Sequence, residues 1–329
     1  MRRIARSGLS LVAVLLVTGC SAAARAPGAQ GVSTAAPAGP AGVSPSTGPP
    51  SSPAVTSSRP AHASSAASTT RAASGLDPRS SPAAPASASA VGRYTLPPIN
   101  AMADYQLGGA YPPARGVSVV VRDRADSPAA GHYNVCYVNA FQTQTAELGW
   151  WTRTNPDLLL TRDGKYVVDQ EWSENLLDIS TPSKRARLAA IVGSWIDGCR
   201  RAGFQAVEPD NLDSWTRSDG LLTATEAVAY VRLLAARAHA DGLAIAQKNA
   251  VELAGRRAQT GLDFAIAEEC MQYDECGAYA TAFSDHVLVI EYDRSNFTAA
   301  CRRWPQLSVV LRDVDLVPVG ESGYLRDAC

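Results

Sequence analysis

The sequence has only four histidines, and they are scattered over positions 62, 132, 239 and 286. Zinc sites are usually marked by histidines and cysteines at short fixed spacings, so this distribution argues against a metal centre. No P-loop is present, and Gly108-Gly109 does not match the glycine fingerprint of a dinucleotide-binding turn. We therefore expect a protein that works without a metal or an organic cofactor.

Near the N-terminus, the apolar run over residues 9–17 is too short to cross a bilayer as a stable helix. It follows a basic start and ends in Val17-Thr18-Gly19-Cys20. This pattern is typical of a bacterial lipoprotein signal peptide, residues 1–20, in which Cys20 carries the lipid. We expect an exported protein anchored by lipid to the outer face of the cell membrane. The alternative is an ordinary secretory signal and a secreted protein.

Residues 21–93 have almost no aromatic side chains and few large aliphatic ones, and consist mainly of Ala, Ser, Pro, Thr and Gly. A segment of this composition cannot bury enough apolar surface to offset the entropy lost on ordering. We interpret it as a disordered tether. All six tryptophans lie beyond it, and the remaining residues 94–329 are long enough for one large domain.

The charge of the chain is unevenly divided. Residues 1–93 contain eight arginines and one acid, out of 30 basic and 31 acidic residues in the chain, so residues 94–329 carry a formal charge of −8. An acidic domain argues against a nucleic-acid partner. It would suit a cationic substrate, although a charged surface that serves only solubility explains the same balance. We expect a monomer.

Six cysteines follow Cys20, an even number that predicts disulfides in an exported protein. Cys270 and Cys276 are close in sequence and are expected to close a short loop. Cys301 with Cys329, and Cys136 with Cys199, would complete one pairing. The sequence alone leaves the pairing open.

Short apolar runs recur along the domain, and helical patterns separate several of them. One helix is predicted over 182–202, and another over 225–240 with Val228, Val231, Leu233 and Leu234 facing inward. Strands that alternate with helices indicate a parallel sheet, and eight strands are the number in a (β/α)8 TIM barrel. A doubly wound sheet is the competing architecture. The predicted strands cover residues 105–109, 117–121, 134–139, 205–207, 243–246, 264–267, 287–290 and 307–311.

Two of these runs lead directly into acidic clusters. One is Val207-Glu208-Pro209-Asp210-Asn211, and the other is Ile266-Ala267-Glu268-Glu269-Cys270. In a parallel barrel the chemistry lies where the strands end. Two carboxylates delivered there from different strands are the minimal requirement for cleaving a glycosidic bond. The clusters therefore predict a glycoside hydrolase.

The ordered set of motifs around these clusters resembles the catalytic domain of glycoside hydrolase family 114, the endo-α-1,4-polygalactosaminidases. The resemblance covers residues 100–329 and implies a TIM-like barrel that hydrolyses α-1,4-linked galactosamine-containing polysaccharide. The matching pieces are Tyr105-Gln106-Leu107-Gly108-Gly109, Cys136-Tyr137-Val138-Asn139, Trp172, Leu177-Asp178-Ile179, Val207 through Asp213, Gly242-Leu243, Gln247-Lys248-Asn249, Asp263-Phe264, Glu268-Glu269-Cys270, Tyr273, Glu275-Cys276 and Ile290-Glu291-Tyr292.

The paired carboxylates of the family fall on Asp210 and Glu268. We assign Asp210 as the nucleophile or base and Glu268 as the acid, with Glu208 and Glu269 as their rivals. Side chains alternate along a strand, so Glu208 and Asp210 could share a face whereas Glu268 and Glu269 should not. The residues expected to bind substrate are Tyr105, Gln106, Tyr137, Asn139, Trp172, Glu208, Asn211, Lys248, Asn249, Glu291 and Tyr292.

Two other functions are compatible with these residues. One is a hydrolase or transglycosidase acting on another amino-sugar or galactan polymer with the same carboxylates. The other is a non-catalytic carbohydrate-binding lipoprotein. The presence of both Asp210 and Glu268 favours an enzyme.

The signal-peptide interpretation predicts that Cys20→Ser blocks lipid processing or releases the protein from the membrane, because the cysteine thiol is the atom that is lipidated. Membrane fractionation and metabolic labelling with a fatty acid measure this, with Ser21→Ala as the matched control. Unchanged processing and membrane partitioning in the Cys20→Ser variant would contradict the prediction.

Overall fold

The computed structural model describes residues 94–329. The predicted signal peptide, the lipidated Cys20 and the tether lie outside the described residues. Over residues 94–329 the strands are β1 (Ala103–Gln106), β2 (Val119–Asp123), β3 (Tyr133–Asn139), β4 (Thr161–Arg162), β5 (Lys165–Tyr166), β6 (Val168–Asp169), β7 (Glu174–Asn175), β8 (Ala206–Asp210), β9 (Ala244–Lys248), β10 (Phe264–Glu268), β11 (Val287–Glu291), β12 (Ser308–Arg312) and β13 (Arg326–Ala328).

Helices cover the outside of this sheet. The α-helices of the described residues are α1 (Leu148–Thr154), α2 (Pro182–Ala202), α3 (Ala224–Ala240), α4 (Arg257–Thr260), α5 (Cys276–Phe283) and α6 (Arg294–Arg303). None of the helices in this part of the chain is both long and apolar enough to span a membrane.

The main sheet has the order β1-β2-β3-β8-β9-β10-β11-β12-β13. Its first eight strands are mutually parallel, and β13 adds to β12 in antiparallel orientation. Side chains bridge the seam to β1, where Ser308 Oγ accepts from the Ala101 N–H at 2.8 Å and Arg326 donates to the Ala103 carbonyl at 2.8 Å. The predicted α/β barrel with eight parallel strands is therefore confirmed.

The first strand differs from its prediction. It covers Ala103–Gln106 rather than 105–109, and the glycine pair that follows turns the chain away from the barrel. Gly108 lies against the Leu316 carbonyl, which a Cβ at this position would approach to 2.4 Å. The glycine therefore allows the C-terminal segment to pack closely on this end of β1.

Helices α2 and α3 match their predicted ranges closely. The Thr181 side chain accepts from the Lys184 N–H at the start of α2, and Gly203, at φ +102°, ends it. A capping box between Thr223 and Glu226 starts α3. The prediction for Leu233 was wrong: its side chain is exposed, because it lies on the flank of the apolar stripe and points away from the sheet.

Apolar residues form two layers, one on each side of the sheet. Alternate strand residues such as Tyr105, Ala246 and Ile266 fill the barrel interior, while residues such as Val207 and Val289 pack outward against the helices. This alternation decides which polar residue at a strand end faces the barrel axis.

The segment that begins at Tyr94 packs under the N-terminal end of the barrel. Tyr94 donates to Asp263 at 2.7 Å, Tyr133 donates to the Thr95 carbonyl at 2.7 Å, and the His286 ring bonds the Pro97 carbonyl at 2.9 Å. Tyr133, Asp263 and His286 all lie at or just before the N-terminal ends of strands. The chain therefore enters the barrel at the face opposite the carboxyl ends of the strands.

The six cysteines form the expected disulfides, Cys136–Cys199, Cys270–Cys276 and Cys301–Cys329. They tie β3 to α2, close the loop after β10, and join α6 to the C-terminal strand. Over residues 94–329 the one group of side chains with metal-ligand proximity is Cys270, Cys276 and Glu291. Cys270 and Cys276 are bonded to each other in a disulfide, so neither offers a thiolate to a metal ion.

Candidate active site

Three neighbouring strands deliver the central residues of the site. Asp210, Lys248 and Glu268 are the last residues of β8, β9 and β10, which are adjacent in the sheet. On β9 and β10 the inward residues before them are small or apolar, whereas Asp210 follows the inward-facing Glu208 on β8. The three side chains therefore converge at the carboxyl end of the barrel.

Lys248 lies at the centre of this group and is almost fully buried. Its Nζ is 3.2 Å from Glu208 Oε1, 3.2 Å from Asp210 Oδ1 and 3.2 Å from Glu268 Oε2. It also donates to the Tyr105 hydroxyl at 3.0 Å. Burial acts to lower the pKa of Lys248, but the charges of Asp210 and Glu268 outweigh it and raise the pKa well above the ordinary value. The ammonium group therefore stays protonated.

Asp210 is held in its ionised form by its neighbours. Burial acts to raise its pKa, but Lys248, the Tyr137 hydroxyl and the Asn211 N–H together hold the pKa below the ordinary value. Tyr137 donates to Asp210 Oδ2 at 2.8 Å. An ionised carboxylate with fixed orientation is suited to act as a nucleophile or base.

Glu268 is held by neighbours on both oxygens. Tyr292 donates to Oε1 at 2.5 Å, and Asn249 donates to Oε2 at 3.0 Å. Asn249 also accepts from the Glu268 backbone N–H at 2.8 Å, so one amide side chain fixes both ends of the residue. Burial and the charge of Glu268 raise the pKa of the Tyr292 hydroxyl, which keeps it a donor.

Glu208 shares the inward face with Asp210, as strand alternation predicted, but lies deeper. It has no exposed surface, and its Oε1 accepts from the Tyr105 hydroxyl at 2.7 Å. Burial raises its pKa to about 7, with Asp210 adding to the rise and Lys248 opposing it. A side chain without exposed surface reaches the substrate only through Lys248 and Tyr105.

Two residues expected to bind substrate lie elsewhere. Gln106 is buried on the outer face of β1, where it donates to Asp104 at 2.9 Å and accepts from Arg122 at 2.9 Å. Glu291 is buried on the outer face of β11 and accepts from the Met271 N–H at 2.9 Å. The period of two along a strand turns both away from the barrel axis. Glu291 instead braces the loop that the Cys270–Cys276 disulfide closes.

The remaining predicted residues lie around the rim. Asn139, the last residue of β3, is the ladder partner of Asp210 and accepts from Asn211 Nδ2 at 3.2 Å. Trp172 is 57% exposed in the turn between β6 and β7, so its ring is free to contact a ligand. Glu269 has φ +53° and takes no part in the ion pairs of Lys248.

Sequence patterns missed Glu174 and Asp169, which the long segment between β3 and α2 contributes, and Arg217, which lies in the loop after β8. Glu174 in β7 accepts from Asn139 Nδ2 at 2.7 Å. Arg217 donates to Asn211 Oδ1 at 3.0 Å and pairs with Asp169 at 2.6 Å. The only sequence signal was Trp172, which marks the same turn as Glu174.

A groove lies over this segment. It has a volume of about 620 Å³ and is lined by residues of the β4–β5 and β6–β7 hairpins together with Arg217 and Asp219. Asp169 and Arg217 line the groove and also connect to Asn211, which follows Asp210. These contacts place the groove next to the residue that follows Asp210.

The chain was compared with known proteins. A model of glycoside-hydrolase family GH114 matches residues 82–329. A search of curated proteins gives no match. Among solved structures, Aspergillus fumigatus Ega3 in complex with galactosamine is 24% identical, with a TM-score of 0.57, covering 72% of this chain and 100% of that one. The glycoside hydrolase domain of PelA from Pseudomonas aeruginosa is 17% identical, with a TM-score of 0.48, covering 67% and 98%. The likeness to Ega3 supports the barrel fold.

The buried position of Glu208 predicts a pH-dependent difference in stability between the wild type and Glu208→Gln. Because the pKa of Glu208 rises from 4.5 to about 7 on folding, the folded state binds the extra proton, and stability is lost as pH rises through this window. The glutamine variant lacks this loss. Its free energy of unfolding should rise relative to wild type between pH 4.5 and 7 by on the order of 2 kcal/mol.

Urea unfolding at several pH values measures this difference. Glu321→Gln removes an exposed carboxylate from the C-terminal segment and should follow the wild type at every pH. A constant difference between Glu208→Gln and wild type across the window would mean that Glu208 is ionised in the folded protein throughout.

Proposed function

This chain belongs to glycoside hydrolase family GH114, and we propose that it hydrolyses α-1,4-linked galactosamine-containing exopolysaccharide with Asp210 and Glu268 as its two carboxylates. The observation that carries the proposal is the convergence of both carboxylates on the buried Lys248, at 3.2 Å each. Galactosamine bound to the structurally similar Ega3 supports the choice of sugar.

We assign the attacking role to Asp210. Cleavage of a glycosidic bond passes through an oxocarbenium-like state, in which positive charge develops at the anomeric carbon. The lowered pKa of Asp210 supplies the negative charge that stabilises this state, and the Tyr137 hydroxyl and Lys248 hold its two oxygens in place. Because this negative charge is already in place and oriented, the site does not have to reorganise as positive charge develops at the anomeric carbon.

Glu268 is the proposed acid. In its protonated form Glu268 gives its proton to the glycosidic oxygen as the C1–O bond breaks and the Asp210 carboxylate bonds C1. The resulting Glu268 carboxylate then takes a proton from the water that displaces Asp210 from C1. Tyr292 and Asn249 hold the side chain in one orientation through both steps. Glu269 lies outside this set of hydrogen bonds, which supports Glu268 as the acid.

The location of the enzyme follows from the same features. Three disulfides in the described domain support export to an oxidising compartment. We propose that Cys20 carries the lipid anchor, that residues 21–93 form the tether, and that the domain acts as a monomer.

Asp210→Asn and Glu268→Gln are each expected to reduce hydrolysis of partly deacetylated galactosamine polymer by at least about 100-fold, because each keeps its size but loses the charge or proton that the reaction needs. Product release from a panel of exopolysaccharides measures the activity, and circular dichroism checks the fold. Asp213→Asn and Glu269→Gln are the matched controls and should retain most of the activity.

Near-normal turnover by Glu268→Gln together with loss in Glu269→Gln would transfer the acid role to Glu269. Activity of the wild type on a different amino-sugar or galactan polymer would keep the mechanism but change the substrate. Binding without product release on every polymer would contradict the enzymatic function itself.

The spacing of the carboxylates predicts retention of configuration. Asp210 Oδ1 and Glu268 Oε2 each lie 3.2 Å from the same nitrogen, so they are separated by no more than twice that distance. Carboxyl groups about 5–5.5 Å apart are typical of retaining enzymes, and about 6.5–9.5 Å of inverting ones. Proton NMR of the first products should show the α-anomer before mutarotation. The β-anomer as first product would contradict this prediction.

A further inference from the structure

Glu174 lies beside the catalytic carboxylates, although no sequence motif marks it. It begins β7, which pairs with β6 in a hairpin of the long segment between β3 and α2. Its Oε2 accepts from Asn139 Nδ2 at 2.7 Å, and Asn139 is the ladder partner of Asp210. The hairpin therefore holds the Glu174 carboxylate next to the end of β8, on the side away from the strand that carries Lys248.

Glu174 forms no ion pair with a cationic side chain of residues 94–329. Lys248 pairs with Glu208, Asp210 and Glu268, and Arg217 pairs with Asp169 and Asp213. The one hydrogen bond to Glu174 in this part of the chain goes to Oε2, which leaves Oε1 free to accept. The residue is partly exposed, so this oxygen is within reach of a ligand.

The surroundings of Glu174 favour the arrival of a cation. Burial raises its pKa to about 7, and the neighbouring charges of Asp210 and Asp169 add to the rise, while the Asn139 hydrogen bond and the charge of Arg217 oppose it. A half-buried carboxylate beside two other acids is destabilised in its ionised form. A positively charged group bound next to it would relieve that destabilisation, whereas a neutral group would not.

The substrate chemistry supplies such a group at the right place. Galactosamine carries its amine on C2, adjacent to the anomeric carbon that Asp210 addresses, and this amine is an ammonium ion near neutral pH. A carboxylate beside Asp210 can therefore meet the ammonium of the same sugar. An N-acetylated unit presents a neutral amide there instead, which is a weaker partner for a carboxylate.

We propose that Glu174 is the specificity-determining residue that recognises the ammonium group of the sugar bound at Asp210, so that the enzyme prefers deacetylated over N-acetylated units. This inference rests on the proposed function. Glu208 is excluded from the role because it is wholly buried and paired with Lys248. Glu171, on the same hairpin, is exposed and has no contact with Asn139.

The test compares Glu174→Gln with the wild type on α-1,4-galactosamine oligosaccharides and on the same oligosaccharides after chemical N-acetylation. Loss of a charge-assisted hydrogen bond should lower kcat/KM on the free-amine substrate about 10- to 100-fold. On the N-acetylated substrate kcat/KM should stay within about twofold. Glu171→Gln removes the same charge from the same hairpin and should preserve the preference.

The pH dependence of the preference is a second readout. It is measured as kcat/KM on the free-amine substrate divided by kcat/KM on the N-acetylated one. Titration of the catalytic pair affects both values equally and cancels in this ratio. In the wild type this ratio should rise as pH increases towards about 7, where Glu174 ionises while the amine of the substrate is still protonated, and in Glu174→Gln it should stay flat over that range. Equal losses on both substrates, or an equal loss of preference in Glu171→Gln, would overturn the proposal.

Calorimetric binding separates this proposal from the proposed function. In an Asp210→Asn background, Glu174→Gln should weaken binding of the free-amine oligosaccharide and leave binding of the N-acetylated one unchanged. If the wild type hydrolyses neither substrate, the proposed function fails, and the binding comparison still decides on Glu174. Equal affinity for the free-amine oligosaccharide with and without Glu174→Gln would refute its role.

Discussion

The ammonium group of Lys248 is the feature on which the catalytic end of the barrel depends. Three carboxylates surround it at 3.2 Å, and without it they would stand as unpaired negative charges in a largely buried space. Leaving buried charges unpaired is among the costliest changes in a protein, because neither water nor a counter-charge stabilises them. One lysine cannot neutralise three ionised acids. The fully buried Glu208 is the member whose pKa is raised, so the excess negative charge is relieved where solvent is absent.

This charge balance separates the roles of residues that look alike in sequence. Asp210 keeps a low pKa because the Tyr137 hydroxyl and the Asn211 N–H add to the effect of Lys248. Glu208 pairs with the same Lys248 ammonium group as Asp210. It accepts only one further hydrogen bond, from Tyr105, and its side chain has no contact with solvent. Two carboxylates two residues apart on one strand thus acquire different pKa shifts from their burial and from the number of donors that each accepts.

The segment between β3 and α2 adds a second layer to the site. The barrel strands supply the reacting groups, while the hairpins of this segment supply Trp172, Glu174 and one wall of the groove. The two parts meet at Asn139, which contacts both Glu174 and Asn211. The framework for bond cleavage is therefore built into the strands, and the contacts with the sugar polymer can be varied in the hairpins.

Much of the fold could be predicted from the sequence, for a local reason. Continuous apolar runs that end in carboxylates mark buried parallel strands, so local patterns were enough to predict the eight strands, helices α2 and α3, and the positions of Asp210 and Glu268 at strand ends. The shift of the first strand could not be predicted, because Gly108 packs against the backbone of Leu316, which is distant in sequence.

Side-chain direction and distant contacts were decided only by the tertiary structure. Gln106 and Glu291 are neighbours in sequence of Tyr105 and Tyr292, which contact the cluster around Lys248, yet they face outward, because a shift of one residue along a strand reverses the face. Glu174 contacts Asn139, the ladder partner of Asp210, through a hairpin whose path no local pattern encodes. The sequence by itself determined the barrel and the kind of chemistry at its strand ends, because both follow from local periodicity. Only the fold decided which charges meet around Lys248, since that depends on how distant strands and loops converge.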